Sequence, residues 1–205
     1  MSKRLNRKFG ISRRINASLW GSNKDPYNKK NYPPGAHGPS GYKKATEYGT
    51  QLLAKQKLKK YYGDIREKQF KSIYKESMKK KGDTGKNLIG FLESRLDAFI
   101  YRSKFAPTIF ASRQLVSHKH VKVNGIVVNI PSYRLKPSDT IELKSSAENM
   151  KLALESSKEK SREIPNYIKV ENKKFCATFI KIPILEEIPF PVQMEPSLVV
   201  EFYSR

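Results

Sequence analysis

Between Thr84 and Leu143 the apolar residues change their period, and that change restricts what the middle of the chain can fold into. Leu88, Phe91, Leu92, Leu96, Phe99 and Ile100 recur at helical spacing, which predicts a helix starting near Thr84 with this stripe in a core. Pro107-Thr108 reads as a second helix start, with Ala111 and Leu115 inward and Arg113 and Gln114 left free. After Leu115 the period drops to two: Val121 and Val123 alternate with Lys122, and Asn124-Gly125 is a strong hairpin signal. Ile126 to Ile130 then returns, Pro137-Ser138-Asp139 turns, and Thr140 to Leu143 gives a third short strand. A helix pair followed by a small sheet is the expected result.

The flanks extend this pattern in both directions. SSAE, residues 145–148, reads as a capping box opening a helix with Ala147, Met150 and Leu154 inward. Tyr167 to Val170 and Lys174 to Ile182 read as paired strands, and Leu198 to Tyr203 as a last strand with Leu198, Val200 and Phe202 on one face. Upstream, residues 46–62 carry Tyr48, Leu52, Leu58 and Tyr61 as a helical stripe. Residues 66–81 repeat it with Phe70, Ile73, Tyr74, Ser77 and Met78 on one face, and Gly63 and Gly82 serve as stops. The first 45 residues are rich in Gly, Pro, Asn and Lys, and their lack of periodicity predicts an irregular arm with little to offer a core. Within it YPPGAHG, residues 32–38, can only be a turn.

The fold class is therefore α+β. A basic irregular arm (1–45) is expected to precede a helical domain (46–91), which the C-terminal segment 183–205 rejoins as a β segment. A small α/β domain of helix pair and short strands (92–182) lies between them.

Charge narrows the function. The 205 residues hold 41 Lys and Arg against 19 Asp and Glu, a formal net of +22, and such self-repulsion calls for a polyanion. Residues 1–86 hold 23 of the cations against 6 acids, a net of +17, and residues 87–205 hold 18 against 13, a net of +5. No apolar run reaches the roughly 18 residues that would span a bilayer, and neither end carries a lipidation signature, so nucleic acid is the expected polyanion and a membrane is not. A single cysteine, Cys176, precludes an internal disulfide. The basic, acid-poor opening MSKRLNRKFGISRR also has the composition of a mitochondrial transit peptide.

Candidate contacts follow from where the cations lie. In the arm they are Arg4, Arg7, Lys8, Arg13, Arg14, Tyr32 and His37, where interleaved aromatics suit stacking on bases. The two lysine-rich helices add Lys55, Lys57, Lys59, Lys60, Lys68 and Lys71. Arg95 and Arg102, seven apart on one helix side, can present guanidinium forks together toward phosphates or carboxylates. The densest focus is the end of the fourth helix, where Arg113 and Gln114 precede the tetrad His118, Lys119, His120 and Lys122 and the turn residue Asn124. Beyond His118 and His120 the chain has only one further histidine, His37, and one cysteine, so the four ligands a structural zinc site wants would need every one of them at a single place, and neither metal nor cofactor is expected. GAHG and KGDTGKN lack phosphate-loop spacing, and no motif joins a nucleophile to a base, so catalysis is not expected.

LESRLDAFIYRSKFAPTIFASRQLVSHKHVKVNG and then NIPSYRLKPSDTIEL resemble the small RNA-binding domain named after small-subunit ribosomal protein four. SKRLNRKFGISRR, YPPGAHG, LLAKQKLKKYYG, EKQF, KKKGDTGKNLIGFLESRLD and PVQMEPSLVVEFYSR extend the resemblance to that ribosomal protein family over essentially the whole chain, so the basic opening is expected in the mature protein. The arm lacks the zinc-binding cysteines that some bacterial members carry. The resemblance adds Ser132, Tyr133 and Arg134 of NIPSYRL to the RNA contacts. It implies a primary rRNA-binding protein that nucleates the small-subunit body on the 5′ domain of its rRNA, neighbours ribosomal protein five, lines the mRNA entry tunnel and affects decoding accuracy. The implied location is the cytoplasmic ribosome, or the mitochondrial matrix ribosome for an organelle-encoded chain. The alternative is the RNA-binding module of an RNA-modifying or ribosome-rescue protein, since those carry the same small domain.

Overall fold

The computed structural model describes residues 8–42, 44–148, 151–158, 162–171 and 175–205. By contacts within the chain they form two compact units, one running up to Tyr74 and resuming at Phe190–Arg205, the other Lys75–Pro189.

In the first unit, helix α1 (Glu47–Tyr61) starts where Thr46 Oγ1 accepts from the Gly49 amide at 3.1 Å. Its buried face is Gln51, Ala54, Lys55, Leu58 and Tyr61, while Tyr48, expected inward, is 52% exposed. Helix α2 (Glu67–Lys79) buries Phe70, Ile73, Tyr74 and Ser77 as its pattern predicts and turns Met78 outward. The C-terminal segment corrects the expectation of a strand. Pro196–Ser204 is a helix, α8 in chain order, with proline at its first turn. LVVEFY fits both periods, and the helical one prevails because Val199, Phe202 and Tyr203 at i, i+3 and i+4 pack toward α1 and α2. Tyr203 stacks on Tyr74 with centroids 4.8 Å apart, and Phe202 meets Tyr48 at 5.7 Å.

The arm is irregular but packed, against the expectation that it adds little to the core. Ile11 and Leu19 are buried, and Trp20 Nε1 donates to the Tyr61 carbonyl at the end of α1. Buried Asp25 organises the turns by accepting from Ser12 Oγ (2.7 Å), Ser18 Oγ (3.2 Å) and the Tyr27 amide (3.0 Å). The YPPGAHG turn closes on itself at Gly38, where any Cβ would stand 2.0 Å from the Pro33 carbonyl oxygen.

In the second unit, α3 (Thr84–Glu93), α4 (Leu96–Arg102) and α5 (Ile109–Ser117) precede five antiparallel strands. These are β1 (Val121–Val123), β2 (Ile126–Val127), β3 (Thr140–Leu143), β4 (Ile168–Glu171) and β5 (Cys176–Phe179), in the order β2-β1-β3-β5-β4. Residues expected to form one helix from Thr84 onward form two, because the chain breaks at Ser94-Arg95. Segment 131–135 takes up the backbone groups that the break frees: Leu135 N–H donates to Ser94 O (2.8 Å), Leu96 N–H to Tyr133 O (2.9 Å) and Asp97 N–H to Pro131 O (3.1 Å). The apolar stripe continues across the break, and Leu88, Leu92, Leu96, Phe99 and Ile100 are all buried. Each such side chain contributes roughly 1.5–3 kcal/mol of burial.

The hairpin forms as its sequence predicts, with Asn124 at φ 49° and Gly125 at φ 80°. Its return strand is only Ile126–Val127, at the sheet edge and exposed. Downstream, α6 (Ser145–Glu148) and α7 (Lys151–Lys158) are helical on either side of residues 149–150, which lie outside the described residues. The side chains of Ala147 and Met150 lie outside the described residues, and Leu154 is exposed while Ala153 and Ser156 face inward.

Candidate nucleic-acid interface

The structure divides the candidate cations into those already held by carboxylates and those left to solvent. Arg95 and Arg102 turn inward, with side chains 2% and 6% exposed. Arg95 grips Asp97 with Nε (2.9 Å) and Nη2 (2.7 Å), and Arg113 Nε stands 3.8 Å from the same carboxylate. Arg102 grips Glu93, Nη2 to Oε1 at 2.8 Å, with Tyr167 OH donating to Glu93 Oε2 at 3.1 Å and Arg102 Nη1 donating to the Pro189 carbonyl. Of the two targets their spacing allows, both guanidinium forks take carboxylates, Arg95 as the N-cap residue of α4 and Arg102 as its last residue.

The α1 lysines are also engaged. Lys55 and Lys59 meet Glu67 at 3.0 Å each, Lys60 meets Asp64 at 2.8 Å, and Lys57 donates to Gln193 O beside Glu195. Partial burial would raise the Glu67 carboxyl, but hydrogen bonds from Tyr203, Lys59 and Lys55 outweigh it and hold the carboxyl at about 2. Tyr203 is in turn pushed above its ordinary 10.0 by burial and by the Glu67 carboxylate. On α2, Lys68 and Lys71 are exposed.

In the arm, Arg4 and Arg7 lie outside the described residues. Arg13 is a clasp, its Nε and Nη2 donating to Tyr32 O (2.9 Å) and Pro33 O (3.0 Å) while its plane lies over the Tyr32 ring. Lys8 sits over Phe9 and Trp20, and Arg14 and His37 are exposed.

The tetrad is arranged differently. Helix α5 ends at Ser117, and the next residues close a Schellman motif: Lys119 N–H donates to Val116 O (2.9 Å) and His120 N–H to Leu115 O (3.1 Å). Lys119 occupies the left-handed position at φ 62°, where glycine is usual. The His118 and His120 rings lie 6.2 Å apart, and Lys144 N–H donates to His120 O at 2.9 Å. Lys122 points outward between buried Val121 and Val123, opposite Glu142 in register. The turn is pinned from below, with Asn124 Nδ2 donating to Asp139 Oδ1 and Thr140 N–H donating to Asn124 Oδ1, both at 2.9 Å. Gln114 is exposed at the same end of α5. Among the described residues none of His118, Lys119, His120 or Lys122 has a carboxylate within 4.0 Å. This corner holds its lysines at a fixed place, with Glu142 across the ladder from Lys122 and no carboxylate within ion-pair distance among the described residues.

From NIPSYRL, Ser132 is half-buried, Tyr133 is 39% exposed, and Arg134 pairs with Glu76. Sequence reasoning missed buried Asp97 and Glu93, the counter-charges that decide where Arg95 and Arg102 point. The signal for Asp97 was available as an acid two residues beyond Arg95 in a run otherwise apolar. No helix among the described residues is long and apolar enough to cross a membrane.

Residues 3–93 match the family described as ribosomal protein S4/S9 N-terminal domain, and residues 94–141 match the S4 domain. The curated small ribosomal subunit protein uS4 of Bartonella bacilliformis is 55% identical over 205 residues, all of both chains. Those of Sinorhizobium medicae and Rhizobium meliloti are each 54% identical over the same full length. The chain belongs to the uS4 family of small-subunit ribosomal proteins. In this uS4-family chain the seam between the two matched domains falls at the helix break after Glu93. The tetrad, Arg113 and Asn124 lie in the S4 domain, and the lysine-rich α1 and α2 lie in the N-terminal domain.

Proposed function

We propose that the protein binds small-subunit rRNA as a structural component of the ribosome, gripping the RNA backbone at the corner between α5 and β1. The observation that carries this reading is the tetrad, two lysines and two histidines on a backbone corner fixed by hydrogen bonds, with no carboxylate within 4.0 Å among the described residues. Such a cluster suits phosphates because cations there release counterions from RNA on contact, and a pinned corner loses little freedom on binding. Lys68 and Lys71 on α2 and Arg14 and His37 in the arm, all in the first unit, are further exposed candidates for RNA contact, while Arg95 and Arg102 serve as internal braces.

The RNA is the 5′ domain of the small-subunit rRNA, on which the protein nucleates the subunit body. Its neighbours are ribosomal protein five and the mRNA at its entry, and through them it contributes to decoding accuracy. This finer reading is supported by family membership together with the charge distribution. The parts 1–45, 46–91 with 183–205, and 92–182 are proposed as the arm, the helical rRNA-binding domain and the small RNA-binding domain. Migration of the tagged protein with small-subunit particles in a sucrose gradient, with cross-links mapped on the rRNA, tests it. Cross-links concentrated in the 5′ domain are expected, and absence from the small-subunit peak contradicts the reading.

A further inference from the structure

Arg134 is held outside the tetrad in an arrangement of its own. Its guanidinium lies over the Phe91 ring, 4.5 Å from the centroid, and its Nη1 donates to Glu76 Oε2. The Lys80 ammonium stands 5.4 Å from the centroid of the same ring. All four side chains belong to the second unit. The Arg134 and Glu76 side chains are 36% and 44% exposed, so their pair lies open to water and contributes little to stability. Glu76 occupies only one nitrogen of the fork, and Nε and Nη2 have no partner among the described residues.

Cations outnumber carboxylates in this stretch, where Lys79, Lys80 and Lys81 stand with Glu76 and with Asp83, whose carboxylate caps α3 by accepting from the Lys86 amide. Lys79, Lys80 and Lys81 are exposed, and the loop that bears the last two is fixed by Asn87 Nδ2, which donates to Lys80 O (3.1 Å) and Lys81 O (3.4 Å). Removing Glu76 from the fork would leave an arginine whose plane is already set by an aromatic ring, beside a lysine run whose backbone is already in place. A phosphate can offer that fork two acceptors where Glu76 uses one oxygen.

We propose that Arg134 is a phosphate-binding residue held in reserve by Glu76, and that the RNA backbone displaces Glu76 and seats between Arg134 and the Lys79–Lys81 run. This rests on the RNA-binding reading above and adds a second, gated contact to the tetrad. Phe91 keeps the guanidinium oriented after the exchange, so the fork is presented to RNA without a further loss of freedom.

The test measures binding of the full chain to a transcript of the small-subunit 5′ domain across a potassium chloride series, with cooperative melting checked for each variant. Glu76→Gln tightens binding about two- to fivefold, the scale of an exposed ion pair no longer lost on association. Arg134→Gln weakens binding and lowers the salt slope by about one. In the Arg134→Gln background the gain from Glu76→Gln disappears. An equal gain in both backgrounds overturns the proposal, because Glu76 would then act only as a repelling charge, and so does no gain in either. Arg134→Lys, which keeps the charge without the fork, binds more weakly than the parent; binding equal to the parent also overturns the proposal. Failure of the parent chain itself to bind the transcript overturns the RNA reading, and this inference with it.

Discussion

Arg95 and Asp97 form a bidentate ion pair across the break between α3 and α4, at 2.9 and 2.7 Å, with both side chains buried. Asp97 Oδ1 also accepts from the Ala98 amide at 2.9 Å, so one carboxylate takes up an amide of the first turn of α4 and neutralises the arginine that precedes it. The pair is internal to the fold and offers RNA nothing. Asp97→Asn leaves a buried guanidinium without its counter-charge and is expected to cost about 3–5 kcal/mol in urea unfolding. A loss below 1 kcal/mol would mean that the pair does not brace the break.

Glu67 makes the first unit acid-sensitive. Its folded carboxyl is held at about 2, below the ordinary 4.5, so the stabilisation is full above 4.5 and is lost as pH falls from there toward 2. Glu67→Gln should lower the melting temperature at neutral pH and flatten its decline over that interval. An unchanged pH dependence in the variant contradicts the assignment of this effect to Glu67.

Leu19 tests whether the arm is structural. It is fully buried, so Leu19→Ala should cost about 2–5 kcal/mol, and deletion of residues 1–45 should broaden or abolish the cooperative melt. A deletion variant melting like the parent would show that the arm is dispensable for folding.

Most of the second unit was legible because it follows from short-range chemistry. The change of period near Leu115, the Asn124-Gly125 turn and the proline before α5 each act within a few residues. The break at Ser94-Arg95 was not legible, since neither residue is a helix breaker and the partner segment arrives some 40 residues later, at Pro131 to Leu135. The α1 lysines read as RNA contacts in the sequence, because Glu67 and Glu195 reach them only through tertiary packing. LVVEFY supports either period, and only its packing against α1 decides for the helix. The tetrad stood out as a charge cluster, whereas its lack of an ion pair among the described residues could be seen only once the other cations had found their carboxylates.

Gly125 separates shape from charge at the corner. At φ 80° a β-branched side chain is strained, so Gly125→Val should cost about 1–2 kcal/mol and weaken RNA binding with the salt slope unchanged. A reduced slope would show that charge contacts, and not only geometry, were lost.

The central claim is that the α5–β1 corner holds RNA phosphates while the α1 lysines serve the fold. It is tested most directly by comparing two variants in one salt titration on small-subunit 5′-domain RNA. Lys119→Ala with Lys122→Ala should melt like the parent, bind more weakly and reduce the slope by roughly one to two units. Lys57→Ala with Lys60→Ala, whose side chains are 17% and 19% exposed and lie against Glu195 and Asp64, should leave the slope unchanged. The opposite result, a parental slope for the corner variant and a reduced slope for the α1 variant, would contradict the account.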